Sequence, residues 1–83
     1  MALVIWGRLS SINVQKVVWC ADELGLAYER RDAGGAFGGT DTERYRAMNP
    51  NGLVPTLEDG DFVLHESNAI VRYLAARERA SAL

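Results

Sequence analysis

Ser10 and Ser11 stand where an apolar run gives way to an amphipathic pattern, at what reads as a strand-to-helix junction. A serine there is first of all an N-cap. The same place favours an anion, because free backbone N–H groups and the positive end of the helix dipole face it, so a thiolate lodged at this helix start would be stabilised. Val54-Pro55 follows a Gly-containing turn and enters a second apolar run. Taken alone it is a turn or edge-strand proline with the ordinary trans bond. A cis bond would instead open the N–H and C=O of Val54 to an extended peptide running alongside, which is recognition by strand-like pairing. Glu66-Ser67-Asn68 opens a last helical pattern and suffices as its cap. Its amides and the Ser67 hydroxyl could also hold a carboxylate while Glu66 pairs with an ammonium, and those two groups describe an α-amino acid terminus.

The elements that must position these stretches follow from periodicity. Ala2–Trp6 is a continuous apolar run ending at Gly7, the pattern of a strand covered on both faces. From Ile12 to Leu24 the apolar positions Val14, Val17, Val18, Ala21 and Leu24 recur at helical spacing, and Gly25 stops the helix. Leu26–Arg31 alternates as an edge strand would. The Gly-rich stretch 33–39 is a loop, and Thr40 with Glu43 has capping-box spacing, which predicts a short helix over Asp41–Met48. Asn49-Pro50-Asn51-Gly52 breaks the chain before a hairpin of Val54–Glu58 and Phe62–Leu64 around Asp59-Gly60. Ser67 opens the last helix, with Ala69, Ile70, Tyr73 and Leu74 as its apolar stripe, and the polar, Ala- and Arg-rich tail 76–83 is expected to fray or to lead onward. The order is β-α-β-α-β-β-α, one layered α/β domain, and such a sheet brings all three stretches to one edge.

Composition narrows the class. With 83 residues, 48% of them apolar, there is material for one modest core and one site. Nine basic residues are scattered among eleven acidic ones for a net charge of −2, which leaves no basic stripe for a nucleic acid. No apolar stretch is long enough to span a bilayer and none follows a basic segment as in a signal peptide, so a cytoplasmic protein without a membrane partner is expected. The single cysteine, Cys20, excludes an internal disulfide, a dithiol redox centre and a Cys-rich metal site, and reads as a small core residue. His65, the lone histidine, has a surface or supporting role, and Trp6, Trp19, Phe62 and Tyr73 read as core or interface aromatics. No Gly-Lys-Ser or Gly-Lys-Thr closes the Gly34–Gly39 cluster, so it is not a phosphate loop.

In this order and spacing, Ser10-Ser11-Ile12-Asn13-Val14-Gln15-Lys16-Val17, Asn49-Pro50-Asn51-Gly52, Val54-Pro55-Thr56-Leu57 and Glu66-Ser67-Asn68-Ala69-Ile70-Val71-Arg72-Tyr73-Leu74 resemble the N-terminal domain of cytosolic glutathione transferases, nearest the serine-type, theta- or nu-like bacterial branch. The resemblance runs from Leu3 to about Ala76. It implies a thioredoxin-like fold, a four-stranded mixed sheet with helices on both faces, as a glutathione-binding domain over residues 1–76. Residues 77–83 would then be a tail or the start of a linker to an all-helical C-terminal domain that supplies the electrophile pocket. By the same resemblance Ser11 aligns with the catalytic serine, Ser10 is its alternative, and Asn13 matches an asparagine that contacts the thiol. Val54, preceding what would be the family's cis-proline, Pro55, would pair its backbone with the cysteinyl unit of glutathione, Leu53 would stand beside them in the glutathione site, and Glu66 and Ser67 would bind the γ-glutamyl end. Where relatives often carry Lys or Arg before the Val-Pro pair this chain has Leu53; Thr40, Asn51, Lys16 and Arg8 are the alternatives for the glycyl carboxylate, and nothing in the sequence selects among them.

The implied function is detoxifying conjugation, with glutathione as co-substrate, no metal, a small electrophile as second substrate, and a homodimer or other self-association through an exposed apolar patch. The alternatives are a non-catalytic interaction module on the same fold, and a glutathione-dependent peroxidase or disulfide reductase. A glutaredoxin-like reductase is disfavoured because serine stands where that family has its active-site cysteine.

Overall fold

A computed structural model describes the backbone of residues 3–82 and the side chains of residues 3–79. The elements are β1 (Leu3–Trp6), α1 (Ile12–Glu23), β2 (Tyr28–Arg31), a single 3-10 turn (Gly35–Phe37), α2 (Glu43–Met48), β3 (Thr56–Asp59), β4 (Phe62–His65) and α3 (Ser67–Ala82). Ala2, assigned to the first strand from sequence, lies outside the described residues. The strands form one mixed sheet in the order β2-β1-β3-β4, with β1 parallel to β2 and antiparallel to β3. This is the thioredoxin-like arrangement that the resemblance implies, and Tyr28–Arg31 occupies the edge its charges suit.

Strand alternation assigns the two faces. Leu3 and Ile5 of β1 and Leu57 of β3 point to one side, where they meet Val17, Cys20 and Ala21 of α1 and Ile70 and Leu74 of α3. Ile5, Val17, Leu57, Ile70 and Leu74 are fully buried, so α1 and α3 pack side by side over this face. The other face carries Trp6, Thr56 and Glu58. Tyr45 of α2 stands edge-on to Trp6 there, with ring centroids 6.0 Å apart, and the Trp6 indole donates to Glu58 at 2.5 Å. One helix pair and one short helix therefore sandwich the sheet.

Capping fixes where the helices begin and end. Ser11 is the N-cap of α1, its Oγ accepting from the Val14 amide at 3.4 Å. Leu26 N–H bonds back to Ala21 and Gly25 N–H to Asp22, both at 3.0 Å, the paired bonds of a Schellman end. The capping residue of α2 is Thr42 and not Thr40: Thr42 Oγ1 accepts from Tyr45 N–H and donates to the Gly39 carbonyl, both at 3.1 Å, so the helix starts at Glu43. Helix α3 continues to Ala82, held to the sheet by Asp59, which accepts from Tyr73 Oη at 2.6 Å and pairs with Arg77 Nε at 3.4 Å.

Candidate functional site

Gly7 ends β1 with φ +151, and a side chain there would place its Cβ 2.4 Å from Val14 Cγ2 and 3.2 Å from Val54 Cβ. Only glycine lets the start of α1 and the Val54 loop close on the end of β1 together. Arg8 N–H then bonds to Ala33 and Ser11 N–H to the Arg8 carbonyl, at 3.0 and 3.2 Å, which turns the chain so that the α1 N-terminus faces that loop. The first turn of α1 holds no acidic residue, so nothing there opposes an anion.

Two adjoining cavities open along this edge. The larger, about 320 Å³, is lined by Arg8, Ser11, Asn13, Gly34, Gly35, Thr40, Gly52, Leu53 and Val54. The smaller, about 90 Å³, is lined by Asn13, Asn49, Asn51, Leu53, Val54, Pro55, His65 and Glu66. Asn13, Leu53 and Val54 border both, making one polar trough. The Val54–Pro55 bond is cis, and no hydrogen bond among the described residues engages the Val54 N–H or C=O. Ser67, in the first turn of α3, is buried and its hydroxyl reaches Asn13 Oδ1 at 3.4 Å, a long bond that joins the two helix starts. Glu66 takes a left-handed backbone, φ +82, uncommon for a residue with a side chain; its carbonyl accepts from Ile70 N–H at 2.9 Å while its side chain lines the smaller cavity.

Of the residues singled out from sequence, Ser11, Asn13, Leu53, Val54, Pro55 and Glu66 thus line one trough, with Ser67 attached through Asn13. Ser10 is exposed and lines neither cavity. Sequence reasoning missed what holds the Leu53–Val54 segment. Tyr45 Oη donates to the Leu53 carbonyl at 2.5 Å, Asn49 Nδ2 donates to the same oxygen at 3.0 Å, and both side chains meet Thr56 Oγ1, at 2.7 and 3.2 Å. Asn49 Oδ1 also accepts from Asn51 N–H at 3.2 Å. Tyr45, Asn49 and Thr56 are all buried, and burial raises the Tyr45 hydroxyl above its ordinary pKa, so it stays a donor. Among the described residues no group of His, Cys, Asp and Glu is arranged to hold a metal ion, and no helix is long and apolar enough to cross a membrane.

A separate, apolar groove of about 540 Å³ runs between α1 and α3, lined by Ile12, Gln15, Lys16, Trp19, Cys20, Asn68 and Val71. Trp19 is 67% exposed and Ile12 71%, large apolar groups on the helix face opposite the core. Cys20, at the groove's floor, is buried, and its thiol pKa is raised by that burial.

The chain is similar to glutathione transferases. Glutathione S-transferase GstB of Escherichia coli is 53% identical over 77 residues, which are 90% of this chain and 37% of that protein. The crystal structure of a theta class glutathione S-transferase from Xanthomonas axonopodis pv. citri with glutathione bound superposes with a TM-score of 0.92 at 62% identity, covering 96% of this chain and 39% of that one. Glutathione transferase F7 from Populus trichocarpa gives 0.89 at 31% identity, over 94% of this chain and 37% of that one. The chain thus spans well under half the length of these relatives. The family model for the glutathione S-transferase N-terminal domain matches residues 6–82, and to that family this chain belongs.

Proposed function

We propose that the trough binds glutathione and that Ser11 stabilises its thiolate for attack on a small electrophile, the work of a glutathione transferase. The observation that carries this reading is the unengaged backbone of Val54 facing the capped N-terminus of α1 across a polar cavity. A tripeptide laid along Val54 pairs its cysteinyl N–H and C=O with that backbone and presents its sulfur to Ser11. Ser11 Oγ accepts from Val14 N–H, so its own hydroxyl proton is left to donate to sulfur. Glu66 and the α3 start with Ser67 match the ammonium and α-carboxylate of the γ-glutamyl end. Asn13, between Ser11 and Ser67, positions the sulfur from the side.

The size of the effect is adequate. A free thiol has a pKa of about 8.5, and lowering it by about two units needs roughly 2.7 kcal/mol in favour of the anion. A charge-assisted hydrogen bond contributes roughly 1.5–3 kcal/mol and a helix terminus up to about 1 more. Neither a metal nor a general base is needed.

The rest of the assembly is proposed on the same footing. The apolar groove at Ile12, Trp19 and Val71 receives an all-helical C-terminal domain that completes the electrophile pocket, with residues 77–83 leading into it and 1–76 as the glutathione-binding unit; pairing of two copies would make a cytoplasmic homodimer.

The test is a pH titration of thiolate absorbance for glutathione bound to the protein and to Ser11→Ala. Expected are a thiol pKa about two units below that of free glutathione in the unaltered protein, most of that shift lost in Ser11→Ala, and an affinity for glutathione changed by less than about threefold. A thiol pKa that is unshifted, or shifted equally in both proteins, removes Ser11 from this role.

A further inference from the structure

The turn that leads into the trough carries a dipeptide with chemistry of its own. Of the four asparagines, Asn49 precedes a proline, which has no N–H, and Asn13 and Asn68 lie in the first turns of α1 and α3. Only Asn51 is followed by glycine. Asn51 is exposed and lines the smaller cavity beside His65 and Glu66. No hydrogen bond among the described residues reaches its side-chain amide; its one bond in this turn runs from the backbone N–H to Asn49 Oδ1.

The fold requires glycine at the next position. Gly52 has φ +65, and a Cβ there would lie 3.0 Å from Arg46 Nη2 and 3.2 Å from the Thr40 carbonyl oxygen. Arg46 Nη1 also donates to the Pro50 carbonyl at 3.3 Å, so α2 backs this turn. With no side chain on Gly52, nothing hinders approach of its backbone nitrogen to Asn51 Cγ. Among the described residues one bond engages that nitrogen, the turn bond from Gly52 N–H to the Asn49 carbonyl at 3.0 Å. Pro50 and Asn51, the two central residues of the turn, are exposed, and single bonds in exposed turns open with little free energy. Asp59-Gly60 is the contrasting case: the Asp59 carboxylate is held by Tyr73 and Arg77 and is not free to turn onto the next nitrogen.

We propose that Asn51 is a site of spontaneous deamidation, and that the carboxylate it gains weakens the trough's hold on glutathione. When the turn bond opens, the Gly52 nitrogen bonds to Asn51 Cγ and loses its proton to solvent, and the side-chain amide nitrogen leaves as ammonia. Water then opens the resulting five-membered succinimide at one of its two carbonyls, which leaves aspartate or isoaspartate at position 51. Nothing is oxidised or reduced, and water is the only co-reactant. Either product brings a negative charge to the cavity that Glu66 lines. Isoaspartate also lengthens the main chain by one methylene, three residues before Val54. The covalent change stands on the turn alone, whereas its effect on binding rests on the glutathione reading above. Glutathione carries two carboxylates and one ammonium, so where Glu66 already meets the ammonium a second carboxylate chiefly repels.

The test is incubation of the purified chain at mildly alkaline pH, followed by peptide mass spectrometry and by calorimetric titration with glutathione. The peptide containing Asn51 should gain the mass that separates a carboxylic acid from an amide, in two chromatographic forms, one of them a substrate for an isoaspartyl methyltransferase. The modified fraction should bind glutathione about tenfold more weakly than fresh protein, the scale of one unfavourable charge at a partly exposed site. Asn51→Asp should show a weakening of that size when fresh. Asn51→Gln, whose longer side chain does not close a five-membered ring, should keep its own starting affinity throughout. If position 51 stays unmodified over a period in which the guanidinium-unfolded chain is converted, the site is overturned. Modification without loss of affinity overturns the effect on binding, as does an equal decline in Asn51→Gln. If fresh protein does not bind glutathione, the glutathione reading falls and the effect on binding with it, while the mass measurement still decides the modification.

Discussion

At the scale of single residues, two hydroxyls and one thiol illustrate how environment assigns chemistry. Ser10 and Ser11 are adjacent and alike in type, yet only Ser11 caps α1 and lines the trough. Cap preference made that pair conspicuous in the sequence and the family resemblance put Ser11 first, but it is the turn at Gly7 and Arg8, a tertiary constraint, that brings Ser11 and not Ser10 to the trough. Removing the Ser11 hydroxyl costs helix stability as well, about 1 kcal/mol, so Ser11→Thr, which keeps a capping oxygen, is the control for Ser11→Ala. Cys20 is the opposite case. Its Sγ is buried and 4.0 Å from the Val71 carbonyl, and burial pushes its pKa up, which keeps it a protonated thiol at neutral pH. Cys20 in the native protein should therefore react with a disulfide reagent at pH 7.5 at least about a hundredfold more slowly than in guanidinium, because attack requires both opening and ionisation. Equal rates in the two conditions would show that the groove exposes it.

At the scale of elements, their order along the chain, the last hairpin and the three helices were legible, because each carries an apolar period or a turn signal that burial rewards. The supports of the Leu53–Val54 segment were not. Tyr45, Asn49 and Thr56 come from α2, the turn after it and β3, and nothing in the spacing says that their polar atoms meet at one carbonyl. The cap of α2 was misread for a related reason: Thr40 and Thr42 each have a plausible partner three residues on, and only the bond from Thr42 to Gly39 decides between them. Glu66's left-handed backbone has no signature in sequence at all. The Tyr45 contact predicts that Tyr45→Phe loses about 1–2 kcal/mol of stability, since it deletes a buried donor and leaves Thr56 short of a partner. Glutathione affinity should fall with it, because the Val54 backbone loses one of its two anchors. Tyr73→Phe deletes the Oη bond to Asp59 on the far side of β3 and should cost similar stability without affecting glutathione. If thermal melts and calorimetry show the two variants losing affinity equally, Tyr45 acts on the fold as a whole and not on the Val54 segment.

At the scale of the whole molecule, the question is what covers Ile12, Trp19 and Val71. The sequence showed these positions as part of an amphipathic helix, and only packing revealed that α1 has two apolar faces: Val14, Val17 and Ala21 are fully buried on one, while Ile12 and Trp19 stand out on the other. Leaving that much apolar surface in water is unfavourable by roughly 25 cal/mol per Å², which is the driving force for any partner that closes over it. A helical domain would lay its own apolar stripe between α1 and α3, and a second copy of the chain would cover the same groove by self-association. Both need Trp19. In the isolated 83-residue chain, Trp19→Lys places a solvated charge on the exposed face without touching the core, so the melt should shift little. Sedimentation velocity should then show that chain moving from associated species to monomer at concentrations where the unaltered chain associates. In a polypeptide that carries the helical domain, the same change should loosen the domain contact and speed proteolysis between the two parts. Association of the isolated chain that is unaltered by Trp19→Lys would place its contact elsewhere. The edge strand β4 is then the next surface to test, because Phe62 is 46% exposed there, stacked on Tyr73 with ring centroids 4.9 Å apart.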